Sequence, residues 1–190
     1  MSMKRDTCFR MLADLLPDDI VVSTYTSAFE WLAIRPHPLN YVSVGAMGLA
    51  SSHALGLALA LPQRRVVVLD GDGSLLMNLG TLVTIAACAP RNLVHFVSRN
   101  GTYEANGGHP LPGVDRVDLA GLAHCAGYRR AEAFFELEAL RDAAPALLRD
   151  EGPTFVELIV EPGDSSPRAD YEHIHGARAR QEFAAALFRR

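Results

Sequence analysis

Val66, Val67, Val68 and Leu69 run without a break into Asp70-Gly71-Asp72-Gly73-Ser74. A continuous β-branched run of this kind reads as a strand buried on both faces. Burial on both faces requires helices above and below a parallel sheet. Residues 93–98 repeat the pattern and end at Arg99-Asn100-Gly101, and residues 154–160 form a third strong strand candidate. Shorter candidates lie at 20–23, 41–44 and 128–131. Between them the spacing predicts helices over 4–16, 77–88, 118–126, 135–149 and 174–189, and over 26–34 after a polar turn. Phe9, Leu12, Leu15 and Leu16 carry the first, and Pro36 and Pro38 end the one at 26–34. Residues 48–61 are small and apolar throughout, which suits a helix packed closely on several sides. Residues 101–117 and 162–168 read as loops. The expectation is an α/β chain: one domain over 1–190, with a doubly wound, mostly parallel sheet and helices on both faces.

Composition narrows the function. Of the 190 residues, 49% are hydrophobic and 21% charged, and the net charge is −4. That profile predicts a soluble globular protein, and no basic stripe points to nucleic acid. No apolar run reaches the ~18 residues needed to span a bilayer, and no apolar signal core opens the chain. Cys8, Cys88 and Cys125 form no C-x-x-C pair and no metal spacing, so they read as reduced, small packing residues of a cytoplasmic protein. The absence of a cysteine cluster excludes an iron–sulfur role for this chain. The absence of G-x-G-x-x-G after an early strand disfavours a nicotinamide-binding fold.

Two of the strongest strands end in Gly-rich polar turns, and ligands of such sheets bind beyond the carboxyl ends of the strands. Asp72 offers a charged oxygen and Asn100 an amide oxygen. Mg²⁺ takes oxygen ligands and commonly bridges a carboxylate to phosphate oxygens. Gly71 and Gly73 flank the carboxylate and let the backbone come close to a diphosphate. The amides of Gly73 and Ser74 open the next helix, where an anion is favoured. Twenty-six residues separate Gly73 from Asn100.

This arrangement resembles the motif of thiamine-diphosphate-dependent enzymes, G-D-G followed some 25–30 residues later by Asn. LDGDGSLLMNLGTLVTIA and NGTYEANGG are similar in particular to the small β subunits, or C-terminal halves, of sulfopyruvate and phosphonopyruvate decarboxylases. The resemblance spans residues 20–162. It implies that Asp72, Asn100 and the main-chain oxygen of Thr102 ligate Mg²⁺. Gly71, Gly73, Ser74, Asn100, Thr102 and Tyr103 would line the thiamine diphosphate. It also implies that Gly45 offers its carbonyl to the aminopyrimidine and that Met47 is the apolar wedge bending the cofactor. Thr24 and Thr26 fall where the family has a turn lining the diphosphate; helix capping is the other reading of both. His109 stands where the family usually has Gln, as a proton-moving group near the thiazolium or as a solvated loop residue. The catalytic glutamate of the family belongs to a pyrimidine-binding domain absent here. The implied protein is therefore a subunit acting with a partner chain on a small 2-keto acid, by decarboxylation or by carboligation.

Other readings stand beside it. Asp70-Gly71-Asp72-Gly73-Ser74 also resembles the signature of haloacid dehalogenase-type phosphatases, with Asp70 as nucleophile, Asp72 as general acid and Asp164 as a further carboxylate. Against it, that signature normally opens its fold, and the only lysine is Lys4. A non-catalytic cofactor-binding subunit is the third reading. Arg99 and Arg116 are the sequence-nearest cations for a second substrate anion. His53 reads as a packed histidine; Asp115 and Asp118 as turn and cap; His173 and His175 as a solvated helix start.

Overall fold

The computed structural model describes residues 3–43, 47–163, 174 and 176–188. Six parallel strands make its central sheet: β1 (Ile20–Thr24), β2 (Asn40–Ser43), β3 (Val66–Gly71), β4 (Leu93–Arg99), β7 (Arg130–Phe134) and β8 (Thr154–Ile159). Their order is β2-β1-β3-β4-β8-β7. Two minimal strands, β5 (Thr102–Tyr103) and β6 (His109–Pro110), pair antiparallel inside the loop expected at 101–117. The helices are α1 (Arg5–Leu15), α2 (Tyr25–Ile34), α3 (Ala50–Ala60), α4 (Asp72–Met77), α5 (Thr81–Cys88), α6 (Leu119–Ala126), α7 (Leu137–Arg149) and α8 (Ala177–Leu187).

Side chains alternate across each strand, so every strand feeds two cores. Ile20, Val22, Val66 and Val68 face Ala54, Ala58, Ile85 and Ala123 of α3, α5 and α6. Val21, Val67, Leu69, Phe96 and Val156 face Phe9, Leu12, Trp31 and Leu147 of α1, α2 and α7. Burying both faces of the apolar runs is what makes an all-parallel sheet stable here. From β1 the chain moves outward one way to β2, while β3 and β4 lie on the other side. The crevice where ligands bind in such sheets therefore opens between the carboxyl ends of β1 and β3.

Four expectations need correction. The helix expected at 77–88 is two helices: α4 starts directly at Asp72, stops at Asn78, and α5 begins at Thr81. Asn78 leaves the helix because its Nδ2 donates to the Gly48 carbonyl at 3.0 Å. The strand expected at 128–131 lies at Arg130–Phe134, because Gly127 ends α6 at φ +107 and Tyr128 drops into the core. No polar turn precedes α2; Tyr25 makes the corner in a single left-handed residue. α3 is apolar all round but packs on one side only, with Gly56, Leu59 and Ala60 exposed.

Of the three free cysteines only Cys8 packs in the core, where burial pushes its thiol up to about 12; Cys88 and Cys125 are exposed. His53 is half-buried beside Tyr41, with Nδ1 3.1 Å from Ser43 Oγ. Asp118 caps α6 by accepting from Gly121 N. Among the described residues no helix is long and apolar enough to cross a membrane. Val44, Gly45, Asp164, His173 and His175 lie outside the described residues.

Candidate functional site

One pocket gathers the ends of β1, β3 and β4. Thr24 and Thr26 line it from β1 and α2, Met47 from the turn after β2, and Gly71, Asp72, Gly73 and Ser74 from the end of β3. Asn100, Thr102 and Tyr103 close it from the segment after β4. The G-D-G turn and the Asn100 turn meet because β3 and β4 are adjacent and in register, Asp70 opposite Val97 and Gly71 opposite Ser98.

Asp72 is 3% exposed. Its Oδ1 accepts from Gly73 N at 2.7 Å and its Oδ2 from Gly101 N at 2.8 Å, so the carboxylate ties the two turns together. Burial pushes its carboxyl up to about 6, against the lowering effect of the Gly101, Gly73 and Asn100 amides; the nearby Glu104 charge adds to the rise. A carboxylate held ionised only at a cost is one that a cation would stabilise. Asn100 Oδ1 accepts from Thr102 N at 2.9 Å and from Thr102 Oγ1 at 3.3 Å, which fixes the amide over the turn. Gly101 sits at φ +76, a conformation available cheaply to glycine.

The wall beside the carboxylate is built largely from backbone. Gly73 lies under the Tyr103 ring so closely that a Cβ there would fall 2.6 Å from Tyr103 Cδ1. Gly71 has nothing within 4 Å of the corresponding position, leaving open space beside the carboxylate. Ser74 Oγ accepts from Gly48 N at 3.0 Å and holds the turn that carries Met47. The first turn of α2 borders the pocket, and the free amides and dipole of a helix start favour an anion. Thr24 does not cap that helix: its Oγ1 donates to Ser43 O at 3.2 Å. Tyr25 holds φ +44, a strained state for a non-glycine residue and one that clusters at ligand sites.

Ser98 Oγ adds a polar group to the same wall. Ser98 is buried, lines the pocket, and its hydroxyl has no hydrogen-bond partner among the described residues. No group of three or more His, Cys, Asp and Glu side chains among the described residues could hold a metal. The donors at hand are one carboxylate, one amide and main-chain carbonyls, a hard oxygen set that suits Mg²⁺ with phosphate oxygens. The residues present thus fit a Mg²⁺–diphosphate group.

Several expected residues lie elsewhere. His109 is exposed and outside the pocket lining, its backbone paired with Tyr103. Arg99 is committed to Glu157 Oε1 at 3.1 Å and to the Val114 carbonyl, and Arg116 is exposed on the following loop. Asp70 is 1% exposed and points away from the pocket, 3.4 Å from His95 Nε2, whose Nδ1 lies 3.3 Å from Tyr128 Oη. A phosphatase nucleophile must reach its substrate, and this carboxylate is sealed in the core.

Residues 22–158 match the family described as thiamine pyrophosphate enzyme, C-terminal TPP binding domain. The chain belongs to the thiamine pyrophosphate enzyme family. It is similar to phosphonopyruvate decarboxylase of Streptomyces viridochromogenes, with 44% identity over 81% of this chain and 38% of the relative. It is also similar to sulfopyruvate decarboxylase subunit beta of Methanothermobacter thermautotrophicus, with 38% identity over 87% of this chain and 86% of that one. Among solved structures it resembles the thiamine diphosphate-dependent 4-hydroxybenzoylformate decarboxylase of Rhodococcus jostii, at TM-score 0.70 and 25% identity over 86% of this chain and 34% of that one. This thiamine pyrophosphate enzyme chain therefore spans well under half the length of the phosphonopyruvate decarboxylase it matches.

Sequence reading missed Ser98, Tyr25, Arg5 and Glu104 in the pocket wall. A polar residue closing an apolar strand hinted at Ser98. A cation in the first turn of a helix, against the dipole, hinted at Arg5.

Proposed function

We propose that this chain is the diphosphate-binding subunit of a two-component, thiamine-diphosphate-dependent 2-keto acid decarboxylase of the sulfopyruvate and phosphonopyruvate type. The observation that carries the reading is kinship. The chain matches 86% of a relative named as a subunit beta but 38% of one named phosphonopyruvate decarboxylase with no subunit in its name. The catalytic glutamate and the pyrimidine-binding domain then belong to a partner subunit. Leu49 and Met77, both exposed and next in sequence to the hydrogen-bonded pair Gly48 and Asn78, are apolar surface of the sort another chain covers.

In this reading Asp72, Asn100 and the Thr102 main-chain oxygen hold Mg²⁺. Gly71, Gly73 and Ser74 receive the diphosphate, with Thr24, Thr26 and Tyr103 around it. Gly45 accepts from the aminopyrimidine, and Met47 props the cofactor into its bent form. Bound thiamine diphosphate supplies a nucleophilic carbon for the keto group and a sink for the electrons released on decarboxylation. The chain's own task is to anchor, bend and dehydrate: the buried carboxylate and the apolar Met47 wall serve those ends. His109 is a proton-handling residue only if the partner closes the 101–117 loop over the site. Capture of an aldehyde in place of a proton would give carboligation at the same site.

The test is to co-purify the chain with its partner and titrate thiamine diphosphate with and without Mg²⁺. A panel of 2-keto acids, with and without an added aldehyde, then reports turnover. Expected are Mg²⁺-dependent binding, its loss in Asp72→Ala, and decarboxylation by the complex alone. Turnover at full rate by the isolated chain would remove the split site. Binding without any turnover would leave a non-catalytic subunit, and no binding at all would sink the reading.

A further inference from the structure

The one guanidinium in the pocket wall among the described residues comes from the start of the chain. Arg5 opens α1, outside the 22–158 segment that matches the family, and lines the same pocket as Asp72 and Asn100. Main-chain contacts bring it there: Met3 bridges Val160, and Glu161 N donates to Met3 O at 2.9 Å. A cation in the first turn of a helix opposes the dipole, and a buried guanidinium needs partners. Arg5 is 7% exposed and has two. Its Nε and Nη2 donate to Glu30 Oε2 and Oε1, each at 2.8 Å, and its Nη1 lies 2.7 Å from Glu104 Oε2. Glu104 Oε1 also accepts from Gly163 N at 2.6 Å, which holds the carboxylate in place.

Charge bookkeeping shows what Arg5 is for. Two carboxylates and one guanidinium leave a single negative charge behind a pocket built to take an anion. Without Arg5 the wall would carry two. Glu104 is close enough that its charge is felt at Asp72. Arg5 spends two N–H donors on Glu30 and pairs with Glu104 by charge, so its effect on a bound anion runs through partial neutralisation of the two glutamates.

We propose that Arg5 is a positioning residue of the cofactor site that acts through charge, cancelling one of the two negative charges of Glu30 and Glu104 so that the pocket accepts a diphosphate. The proposal rests on the diphosphate reading given above. The experiment is calorimetric titration of the full chain, in complex with its partner, using inorganic pyrophosphate with Mg²⁺ and thiamine diphosphate with Mg²⁺ as separate probes. Arg5→Gln should weaken both probes roughly tenfold or more, and Arg5→Lys, which keeps the charge, should recover most of the loss. Glu104→Gln deletes a charge and keeps one acceptor oxygen, enough for Arg5 or for Gly163, and should bind pyrophosphate several-fold more tightly than wild type. A purely structural strut predicts the opposite for Glu104→Gln, namely no change or weaker binding. Wild-type affinity in Arg5→Gln, or weakened affinity in Glu104→Gln, overturns the proposal. Should Arg5→Gln fail to fold, Glu104→Gln decides alone. If wild type binds neither probe, the diphosphate reading falls as well; if wild type binds and the variants match it, only the role of Arg5 falls.

Discussion

Gly73 offers a sharp test of how the pocket is packed. A Cβ at this position would lie 2.6 and 2.7 Å from two carbons of the Tyr103 ring and 3.4 Å from Leu111 Cδ2. Carbon pairs settle at about 3.5–4.0 Å, so Gly73→Ala forces the ring to move by roughly 1 Å. Overpacking of this kind costs about 1–3 kcal/mol. Gly73 is also helical, and alanine gains up to about 1 kcal/mol over glycine in a helix. The two terms oppose each other, so the single variant measures only their difference. A double-mutant cycle separates them, because the helix gain is present with and without the ring. In a Tyr103→Ala background Gly73→Ala should be neutral or stabilising by up to about 1 kcal/mol. The coupling between the two positions should then be about 1–3 kcal/mol in favour of the double variant. Urea unfolding of the four proteins, followed by circular dichroism, gives the cycle. The same Gly73→Ala protein should lose cofactor affinity, because the displaced ring borders the site. Additivity within 0.3–0.5 kcal/mol, the range typical of independent sites, would refute this packing of Tyr103 on the G-D-G turn.

Three more outcomes are expected. In the metal-free chain, the Asp72 carboxyl at about 6 sits above its unfolded value of 3.8, so the native state keeps a proton that the unfolded state has lost. Stability should therefore fall by about 3 kcal/mol as pH rises from about 4 through about 6, and Asp72→Asn should flatten that window in pH-dependent urea melts. Asp70→Asn should leave Mg²⁺-dependent thiamine diphosphate binding within a few-fold of wild type in calorimetry, because Asp70 faces His95 and not the pocket; abolished binding would contradict that geometry. Asn92 Nδ2 donates to the carbonyls of Ala58, Leu61 and Arg64 at 3.1, 3.0 and 2.7 Å. Asn92→Ala should cost about 1–3 kcal/mol in chemical denaturation without changing cofactor affinity per folded molecule.

Much of this was legible in the chain itself. Runs such as Val66 to Leu69 have no polar face to show water, so they encode a strand buried on both sides. Gly-rich turns with Asp72 and Asn100 at their centres mark where such strands end and what chemistry sits there. These are properties of consecutive residues and need no knowledge of neighbours. The misplaced elements failed for tertiary reasons. Tyr128 has strand-like character but is claimed by the core, beside His95 and Phe155. Asn78 lies inside a helical pattern but is drawn out by Gly48, thirty residues earlier.

The sequence by itself therefore determined the fold class and the two turns that carry Asp72 and Asn100. Tertiary structure decided which side chains reach the pocket. Strand order β2-β1-β3-β4 placed the crevice between β1 and β3. The two-residue period of β3 and its register with β4 sent Asp70 to His95 in the core, while the helix starting one residue beyond β3 turned Asp72 toward Asn100. Arg5 met Glu30 and Glu104 across 25 and 99 positions of chain because the segment before α1 pairs with the end of β8. Local pattern encodes direction and polarity over a few residues; convergence over a hundred depends on which strands become neighbours, and that is settled only when the two cores pack.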